Sequence, residues 1–216
     1  MSNPTVIVTG ASRGLGAAAA RLAAQLGADV VLTARTEESL QAVAGEIEQA
    51  GGQALVVAGD VSRPEDCRQV VERTVERFGG IDGLVNNAGI LEPIRPISEA
   101  EAEAWRKNWA VNVLGPVMMC QAALPYLRKS KGRVVNVSSG AAINAVEGWG
   151  AYCVSKAAIN HLTRMLAAEE PNVTSIAFRP GVVETGMQKT IREQGAEGMP
   201  RAQYERFVRY HEQGEL

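Results

Sequence analysis

Cysteine and histidine are scarce in this sequence, and their scarcity excludes two kinds of stabilising site. The 216 residues include three cysteines, Cys67, Cys120 and Cys153, and none lies in a C-x-x-C spacing. An odd number of cysteines without that spacing indicates neither a disulfide framework nor a zinc site. The two histidines, His161 and His211, are too few for a His-rich metal site. We therefore expect no bound metal and a reduced, cytoplasmic location.

Excess positive charge and long apolar runs are also missing. The formal net charge is -2 and the sequence pI is about 5.8, whereas nucleic-acid phosphates require clustered positive charge. No apolar run approaches the length of a membrane span, and the N-terminus reads as a strand without a signal peptide. We expect neither nucleic acid nor membrane as a partner. A hydrophobic share of 46% instead suits one soluble domain, residues 1–216.

Strand-like and helix-like segments alternate along the chain. Short apolar runs rich in β-branched residues predict six strands, at 5–9, 30–33, 54–57, 81–85, 133–137 and 173–178. Helical patterns lie between them, at 14–26, 37–50, 62–78, 98–128 and 152–168. Repeated strand–helix units with buried strands predict an α/β fold, a doubly wound parallel sheet of the Rossmann type.

Two of the predicted helices begin with capping-box patterns. Ser62 with Glu65 and Ser98 with Glu101 have the required spacing. Two prolines are expected to bend or divide the long helix: Pro116 and Pro125.

The segment 181–216 has a different character, with glycines and one proline among polar residues before a helical stretch at 201–212. We interpret it as a mobile flap beside the sheet, of the kind that closes over ligands.

A glycine-rich turn, residues 9–16, separates the first strand from the first helix. Its glycines follow a G-x-x-x-G-x-G spacing. Glycines in this position let the backbone turn sharply and approach a pyrophosphate, which rests on the helix N-terminus. The turn therefore predicts a dinucleotide site.

The same turn also fits a serine hydrolase. Residues 10–14 match the G-x-S-x-G nucleophile elbow, with Ser12 as nucleophile and His161 or His211 as the base. The match lies on the first strand, which leaves nothing upstream to supply an oxyanion hole, and Gly16 has no role in an elbow. The hydrolase is therefore the alternative, and the nucleotide site is preferred.

The end of the second predicted strand indicates which dinucleotide is bound. Residues 32–35 contain no acid that could accept from a ribose 2′-OH. Arg35 stands there instead, and Arg13 lies in the glycine turn. Two guanidinium groups near one point suit a 2′-phosphate, so we predict NADP(H) as cofactor.

Tyr152 and Lys156 are four residues apart on one predicted helix, so their side chains share a face. His161 falls on the opposite face. An ammonium group beside a phenol is expected to lower the pKa of the phenol. A phenol with a lowered pKa can exchange a proton with an alkoxide near neutral pH.

Together these segments resemble the short-chain dehydrogenase/reductases over about residues 4–188. The matching pieces are 9–16, 60–61, 86–89, 111–112 with Gly115, 137–139, 152–156 and 179–181 with Thr185. The resemblance implies an oxidoreductase that reduces a carbonyl to an alcohol, or the reverse. Residues 91–93 and 149–152 look similar to the benzil-reductase and sepiapterin-reductase-like members.

The resemblance also implies roles for individual residues. Tyr152 would be the proton donor, Lys156 would tune it and hold the nicotinamide ribose, and Ser139 would bind the substrate oxygen. Asn112 would interrupt its helix and position a water in the proton path.

Further residues are assigned to the cofactor. Asp60 and Val61 would contact the adenine, Asn86 and Gly89 the adenosine ribose, and residues 180–185 the nicotinamide. The full predicted set is Gly10, Ser12, Arg13, Gly14, Leu15, Gly16, Arg35, Asp60, Val61, Asn86, Ala88, Gly89, Tyr152, Lys156, Pro180, Gly181, Val183 and Thr185.

Members of this family usually continue into a seventh strand and helix, and no such strand is visible here. We therefore expect a homodimer through 112–127 and 152–168 and leave a tetramer open. A non-catalytic NADP(H)-binding sensor is a further alternative. The expected substrate is a small apolar or aromatic ketone or dicarbonyl, because the predicted pocket walls are Leu91, Val146, Trp149, Met187 and Ile191.

Overall fold

All six predicted strands form and pair in parallel. The structure, a computed structural model, describes residues 3–214. The strands are β1 (Thr5–Thr9), β2 (Asp29–Thr33), β3 (Gln53–Val56), β4 (Gly83–Asn86), β5 (Arg133–Val137) and β6 (Thr174–Phe178). Their order across the sheet is β3-β2-β1-β4-β5-β6. The strand order reverses between β1 and β4, so the predicted doubly wound Rossmann sheet is confirmed.

Within residues 3–214, eight α-helices accompany the strands. They are α1 (Gly14–Gln25), α2 (Glu37–Gln49), α3 (Pro64–Phe78), α4 (Ala102–Trp109), α5 (Gly115–Ser130), α6 (Gly150–Glu169), α7 (Gly186–Gly198) and α8 (Arg201–Glu212). A π-helical turn, Ala110–Leu114, joins α4 to α5, and a short 3₁₀ turn, Gly140–Ala142, precedes α6.

The sheet is covered on both faces because successive strand residues point to opposite sides. Val8 and Val30 pack with the apolar face of α1 and α2. Ile7, Val31 and Leu84 point the other way and pack with residues of α3 and α5. Fully buried apolar strands on both faces are typical of a parallel sheet.

Both predicted capping boxes are wrong. Helix α3 begins after Arg63, with Pro64 in its first turn, and α4 begins after Glu101; neither has a side-chain cap. The Ser62 hydroxyl instead donates to the Asp60 carboxylate at 2.7 Å. Pro64 has no N–H to be capped and suits the first helical position, so the start of α3 moves past Ser62.

The two prolines of the long helical stretch have different effects. Pro116 lies in the first turn of α5, directly after the π-helical turn, whereas Pro125 lies within α5 without ending it. The predicted division therefore occurs only near Pro116. The whole stretch, Ala102–Ser130, is long and apolar enough to span a membrane. Its residues Met119 and Leu127 are fully buried in the core, as in the central helix of a globular protein.

The C-terminal segment contains more helix than expected. The predicted helix at 201–212 forms as α8, and α7 precedes it where the sequence indicated only a flap. We call α7 and α8 the C-terminal helical pair. Strand β6 is the edge of the sheet and leaves Ile176 and Phe178 about half exposed.

Candidate active site

One large cavity lies at the carboxyl ends of the strands, beside the point where the strand order reverses. Its volume is about 1100 Å³. Ligands of open α/β sheets bind at this position because the loops after β1 and β4 diverge there. The predicted site residues that line it are Gly10, Ser12, Arg13, Gly14, Leu15, Gly16, Arg35, Asp60, Val61, Ala88, Gly89, Ser139, Tyr152, Lys156, Pro180, Gly181, Val183 and Thr185.

The glycine turn can only be built from glycine at its critical positions. Gly10 and Gly14 have φ values of 65° and 55°, in the left-handed region that side chains disfavour. A Cβ at Gly16 would clash with the carbonyl oxygen of Gly10 and the amide of Asn87. The turn is therefore held close to the β4 loop, with the N-terminus of α1 in the cavity wall.

A small polar network fixes that approach. Thr9 Oγ1 accepts from the backbone N–H groups of Asn87 and Ala88, each at 3.0 Å. The Asn87 side chain donates to the carbonyl oxygens of Thr9 and Gly10 at 2.9 and 3.2 Å. Asn87 thus holds the glycine turn against β4 and also lines the cavity.

Asn86, which the resemblance assigned to the adenosine ribose, is not among the residues that line the cavity. It is 4% exposed and donates to Asn136 Oδ1 at 2.9 Å. Asn86 lies two residues after Leu84 and therefore faces the same side of the sheet, toward the core that contains Cys120. Sequence reasoning missed Asn87 because the sequence does not locate the end of β4 to a single residue. The position of that end decides which of the two asparagine side chains faces the cavity.

Positive charge predominates at the end of the cavity near β2. Arg35 lies beside Asp60. Burial alone would raise the pKa of Asp60, but hydrogen bonds from Ser62 and the positive charge of Arg35 lower that pKa overall. Arg13 extends from the glycine turn to the start of α7, where a Cβ at Gly186 would lie 3.0 Å from its Cζ. Both arginines therefore line the same cavity, Arg35 beside Asp60 and Arg13 against the start of α7.

Tyr152, Lys156 and Ser139 meet at the other end of the cavity. Tyr152 and Lys156 share the buried face of α6 and are 6% and 5% exposed. Lys156 Nζ donates to the Val137 carbonyl oxygen at 2.8 Å and lies 5.6 Å from the Tyr152 ring centroid. Ser139, at the start of the 3₁₀ turn, interacts with the Tyr152 hydroxyl. The neighbouring Ser138 hydroxyl is occupied, since it donates to Asn160 at 2.6 Å.

The expected lowering of the Tyr152 pKa is not found; its pKa is raised. Burial raises the pKa of Tyr152, and the interaction with Ser139 offsets only part of that effect. Burial also lowers the pKa of Lys156 to about 8. Both shifts have the same cause, because a buried site disfavours the charged form of either group.

The Asn112 side chain lies behind the cavity wall rather than in it. It belongs to the π-helical turn and is 1% exposed. Its amide donates to Ile90 O, Asn108 Oδ1 and Ser155 Oγ at 2.8–3.0 Å, and its oxygen accepts from Ile90 N. The amide hydrogens of the side chain are therefore engaged within the protein. A Cβ at Gly89 would lie 3.3 Å from Asn112 Oδ1 and 3.5 Å from Lys156 Nζ, so Asn112 supports this loop.

The C-terminal helical pair forms the apolar side of the cavity. Trp149 packs edge-to-face on Tyr152, with ring centroids 5.9 Å apart, and stacks on Phe207 at 5.2 Å. Its Nε1 donates to Met199 Sδ at 3.3 Å. Four of the five predicted pocket walls line the cavity; Leu91 instead lies beneath it in the same cluster, 1% exposed.

Several cavity residues were not predicted. They are polar or charged and come mostly from loops and from the C-terminal helical pair: Thr36, Ser39, Asn87, Lys107, Gln188, Gln203 and Arg206. In the sequence, a glutamine or lysine of an amphipathic helix that lines a cavity cannot be distinguished from one that faces solvent. Only the way the helices dock reveals these residues.

The two histidines of the hydrolase alternative do not line the cavity. His161 is exposed on α6, and His211 Nδ1 lies 3.1 Å from Glu184 Oε2. Ser12 lines the cavity, but no histidine is among the lining residues of the described chain.

The residues present fit a phosphorylated dinucleotide. The first turn of α1 contains no acidic residue, so the N-terminus of that helix suits a phosphate. Arg13 and Arg35 supply positive charge in the same cavity.

Comparison with known proteins gives the same fold and family. The profile of the family described as short chain dehydrogenase matches residues 4–196. A benzil reductase ((S)-benzoin forming) of Saccharomyces cerevisiae is 35% identical over 222 residues, covering 98% of this chain and 84% of the relative.

Solved structures agree. The crystal structure of the enzyme KRED1-Pglu superimposes with a TM-score of 0.93 at 41% identity, covering 99% of this chain and 89% of that one. A metagenomic short-chain oxidoreductase in complex with NADP has a TM-score of 0.80 at 38% identity, covering 85% and 84%. With a family match over nearly the whole length and close relatives of the same fold, this chain belongs to the short-chain dehydrogenase family of oxidoreductases.

Proposed function

We propose that this protein is an NADP(H)-dependent carbonyl reductase. The observation that carries the proposal is one cavity with Tyr152, Lys156 and Ser139 at one end and an arginine-flanked glycine turn at the other. The first three residues suit proton transfer to a carbonyl oxygen, and the turn suits a phosphorylated dinucleotide. The NADP complex of the metagenomic relative supports the choice of cofactor.

In this proposal each residue has a defined task. The Tyr152 hydroxyl donates the proton to the substrate oxygen during reduction, and Ser139 donates a hydrogen bond to the same oxygen. Because burial raises the pKa of Tyr152, the phenol is protonated at neutral pH, as a proton donor must be. Lys156 holds the nicotinamide ribose, and the bound nicotinamide supplies the hydride.

Cofactor contacts are proposed for the rest of the cavity wall. The glycine turn and the N-terminus of α1 hold the pyrophosphate, while Arg13 and Arg35 bind the 2′-phosphate. Asp60 and Val61 face the adenine, and residues 180–185 hold the nicotinamide. Asn112 acts as a positioning residue, since it bonds to both backbone groups of Ile90 behind Gly89.

The substrate is proposed to be a small apolar or aromatic ketone or dicarbonyl. Val146, Trp149, Met187 and Ile191 give the cavity an apolar wall beside Tyr152. The similarity to a benzil reductase, whose name denotes a diaryl diketone substrate, supports this class. The C-terminal helical pair would act as the flap over it.

The proposed setting is a homodimer in the cytoplasm. Exposed Leu114, Val154 and Met165 lie within the two helical regions predicted to pair. Cys67, Cys120 and Cys153 are free thiols, which suits a reducing compartment.

The test is NADPH oxidation with a panel of diketones, quinones and ketosteroids. We expect Tyr152→Phe to lower kcat/KM by about 10²- to 10⁴-fold, because the proton donor is removed. NADPH binding should persist in this variant. Tyr126→Phe, on α5 outside the cavity, is the matched control and should behave as wild type. Activity that survives Tyr152→Phe contradicts the mechanism, and NADPH binding without turnover of any panel member favours the sensor alternative.

A further inference from the structure

Asn108 is a buried polar residue near the end of α4, behind the loop that follows β4. It is 1% exposed. Its amide nitrogen donates to three successive carbonyl oxygens, those of Ile90, Leu91 and Glu92, at 3.2, 3.3 and 2.8 Å. Its oxygen accepts from Asn112 Nδ2 at 3.0 Å. Asn108 therefore ties the loop after β4 to the helix that leads into the π-helical turn.

These contacts fix which way each of the two amide groups is turned. A reversed Asn108 amide would place its oxygen against three carbonyl oxygens, so its NH₂ group must face the loop and its oxygen must face Asn112. The Asn112 oxygen accepts from the backbone N–H of Ile90 at 2.8 Å, which directs its NH₂ group toward Asn108 and the Ser155 hydroxyl. The orientation of one asparagine thus supports that of the other.

The same network reaches the turn of α6 that carries the proposed proton donor. Ser155 Oγ, which accepts from the second asparagine, donates to the Tyr152 carbonyl oxygen at 2.8 Å. Ser155 is 0% exposed and directly precedes Lys156. At the other end, the loop held by Asn108 follows Gly89, where a Cβ would lie 3.5 Å from Lys156 Nζ. Buried hydrogen bonds therefore join a loop of the cavity wall to the helical turn between the two reacting side chains.

We propose that Asn108 is a positioning residue that acts through Asn112 and Ser155 to hold the loop after β4 in place relative to Tyr152. This inference rests on the proposed function, because the groups that it aligns are those of a carbonyl reductase. Residues 88–90 line the cavity, so a shift of this loop would move a bound cofactor relative to the proton donor. A displacement of about 1 Å slows a reaction that depends on alignment by about 10²-fold.

The test combines Asn108→Leu, which removes the four hydrogen bonds at similar volume, with Ser155→Ala, which breaks the link to Tyr152. Asn108→Leu should lower kcat by about 10- to 100-fold and change the dissociation constant of NADPH by less than about threefold, because alignment rather than binding is lost. Ser155→Ala should also lower kcat. In its background, Asn108→Leu should cost much less than in wild type, because both changes interrupt one network.

Ser155→Ala alone keeps the test decisive if Asn108→Leu does not fold, since a full kcat in this milder variant overturns the inference.

The matched control is Asn136→Leu, the same change at a 0% exposed asparagine that bonds to Asn86 and Thr163 away from the cavity. It should lower the free energy of unfolding in urea yet leave kcat of the folded protein within about twofold of wild type. Independent losses of kcat from Asn108→Leu and Ser155→Ala, or a loss in Asn108→Leu no larger than in the control, overturn the inference. Absence of turnover by wild type with every ketone of the panel is a different result, since it contradicts the proposed function itself.

Discussion

Among single residues, Lys156 shows how the active site is obtained at the expense of stability. The side chain is buried, its Nζ donates to the Val137 carbonyl oxygen, and burial lowers its pKa to about 8. An unfolded lysine has a pKa near 10.4. Between these two values the unfolded chain binds the proton and the folded protein does not, so the stability contributed by this residue increases with pH.

This difference predicts a pH-dependent effect of Lys156→Met. The free energy of unfolding of the variant relative to wild type should fall by about 3 kcal/mol between pH 7 and about pH 10.5, because only wild type gains stability there. Urea denaturation of the cofactor-free proteins measures it. Lys129→Met, at the end of α5, should show no comparable trend. A difference that is constant with pH would mean that burial does not lower the pKa of Lys156.

Cofactor choice is also decided by single residues. Arg35 lies near Asp60 in the cavity wall, so its charge is only partly compensated. We expect Arg35→Ala to lower kcat/KM for NADPH by about 10- to 100-fold, because charge-assisted hydrogen bonds to a 2′-phosphate are lost. The value for NADH should change less than about threefold. Arg68→Ala, exposed on α3, is the control. Equal losses with both cofactors would contradict the role in 2′-phosphate binding.

Among the elements, the C-terminal helical pair is attached by close backbone contacts. A Cβ at Gly198 would clash with the Ile94 carbonyl oxygen, and one at Gly148 would clash with the carbonyl oxygen of Gly198. Arg95 adds an ion pair to Glu197 at 2.6 Å on the exposed side. Glycine at the end of α7 therefore allows the pair to reach the loops beside Trp149.

Gly198→Ala should loosen this attachment. Overpacking of this kind costs about 1–3 kcal/mol, so we expect faster hydrogen exchange in α7 and α8 and a higher KM for the carbonyl substrate. Gly45→Ala is the matched control, because a Cβ there meets no atom within 4 Å and alanine favours the helix. Unchanged exchange in Gly198→Ala would show that the helical pair does not depend on this contact.

Element boundaries show where local sequence signals compete. The strands and most helices were predicted within a few residues, because buried apolar runs and amphipathic periods are local properties. The capping box at Ser62 failed because Ser62 has two possible partners, and the Asp60 carboxylate accepts a hydrogen bond from its hydroxyl group. The start of α3 is decided by the Asp60–Ser62 hydrogen bond and by Pro64 in the first turn of the helix. A rule based on the spacing of two residues takes neither into account.

In the whole molecule, exposed apolar side chains lie on the helical regions predicted to form the dimer. Leu114, Val154 and Met165 are 45%, 47% and 42% exposed. Leu114→Glu should shift the protein toward monomer in sedimentation velocity, because a charge buried in an interface is unpaired. Leu26→Glu, at a site 78% exposed on the end of α1, should leave the oligomeric state unchanged. A wild-type protein that sediments only as a tetramer would refute the predicted dimer.

The amino-acid sequence by itself determined the parallel sheet, the glycine turn and the pairing of Tyr152 with Lys156 on one helix face. Each of these follows from local periodicity or from the conformational freedom of glycine. Tertiary structure decided the rest. It turned Asn86 into the core and Asn87 to the cavity, buried Lys156 and brought Gln188 to the wall. Side-chain direction at a strand end, local dielectric and helix docking depend on neighbours distant in the chain, so no local pattern contains them.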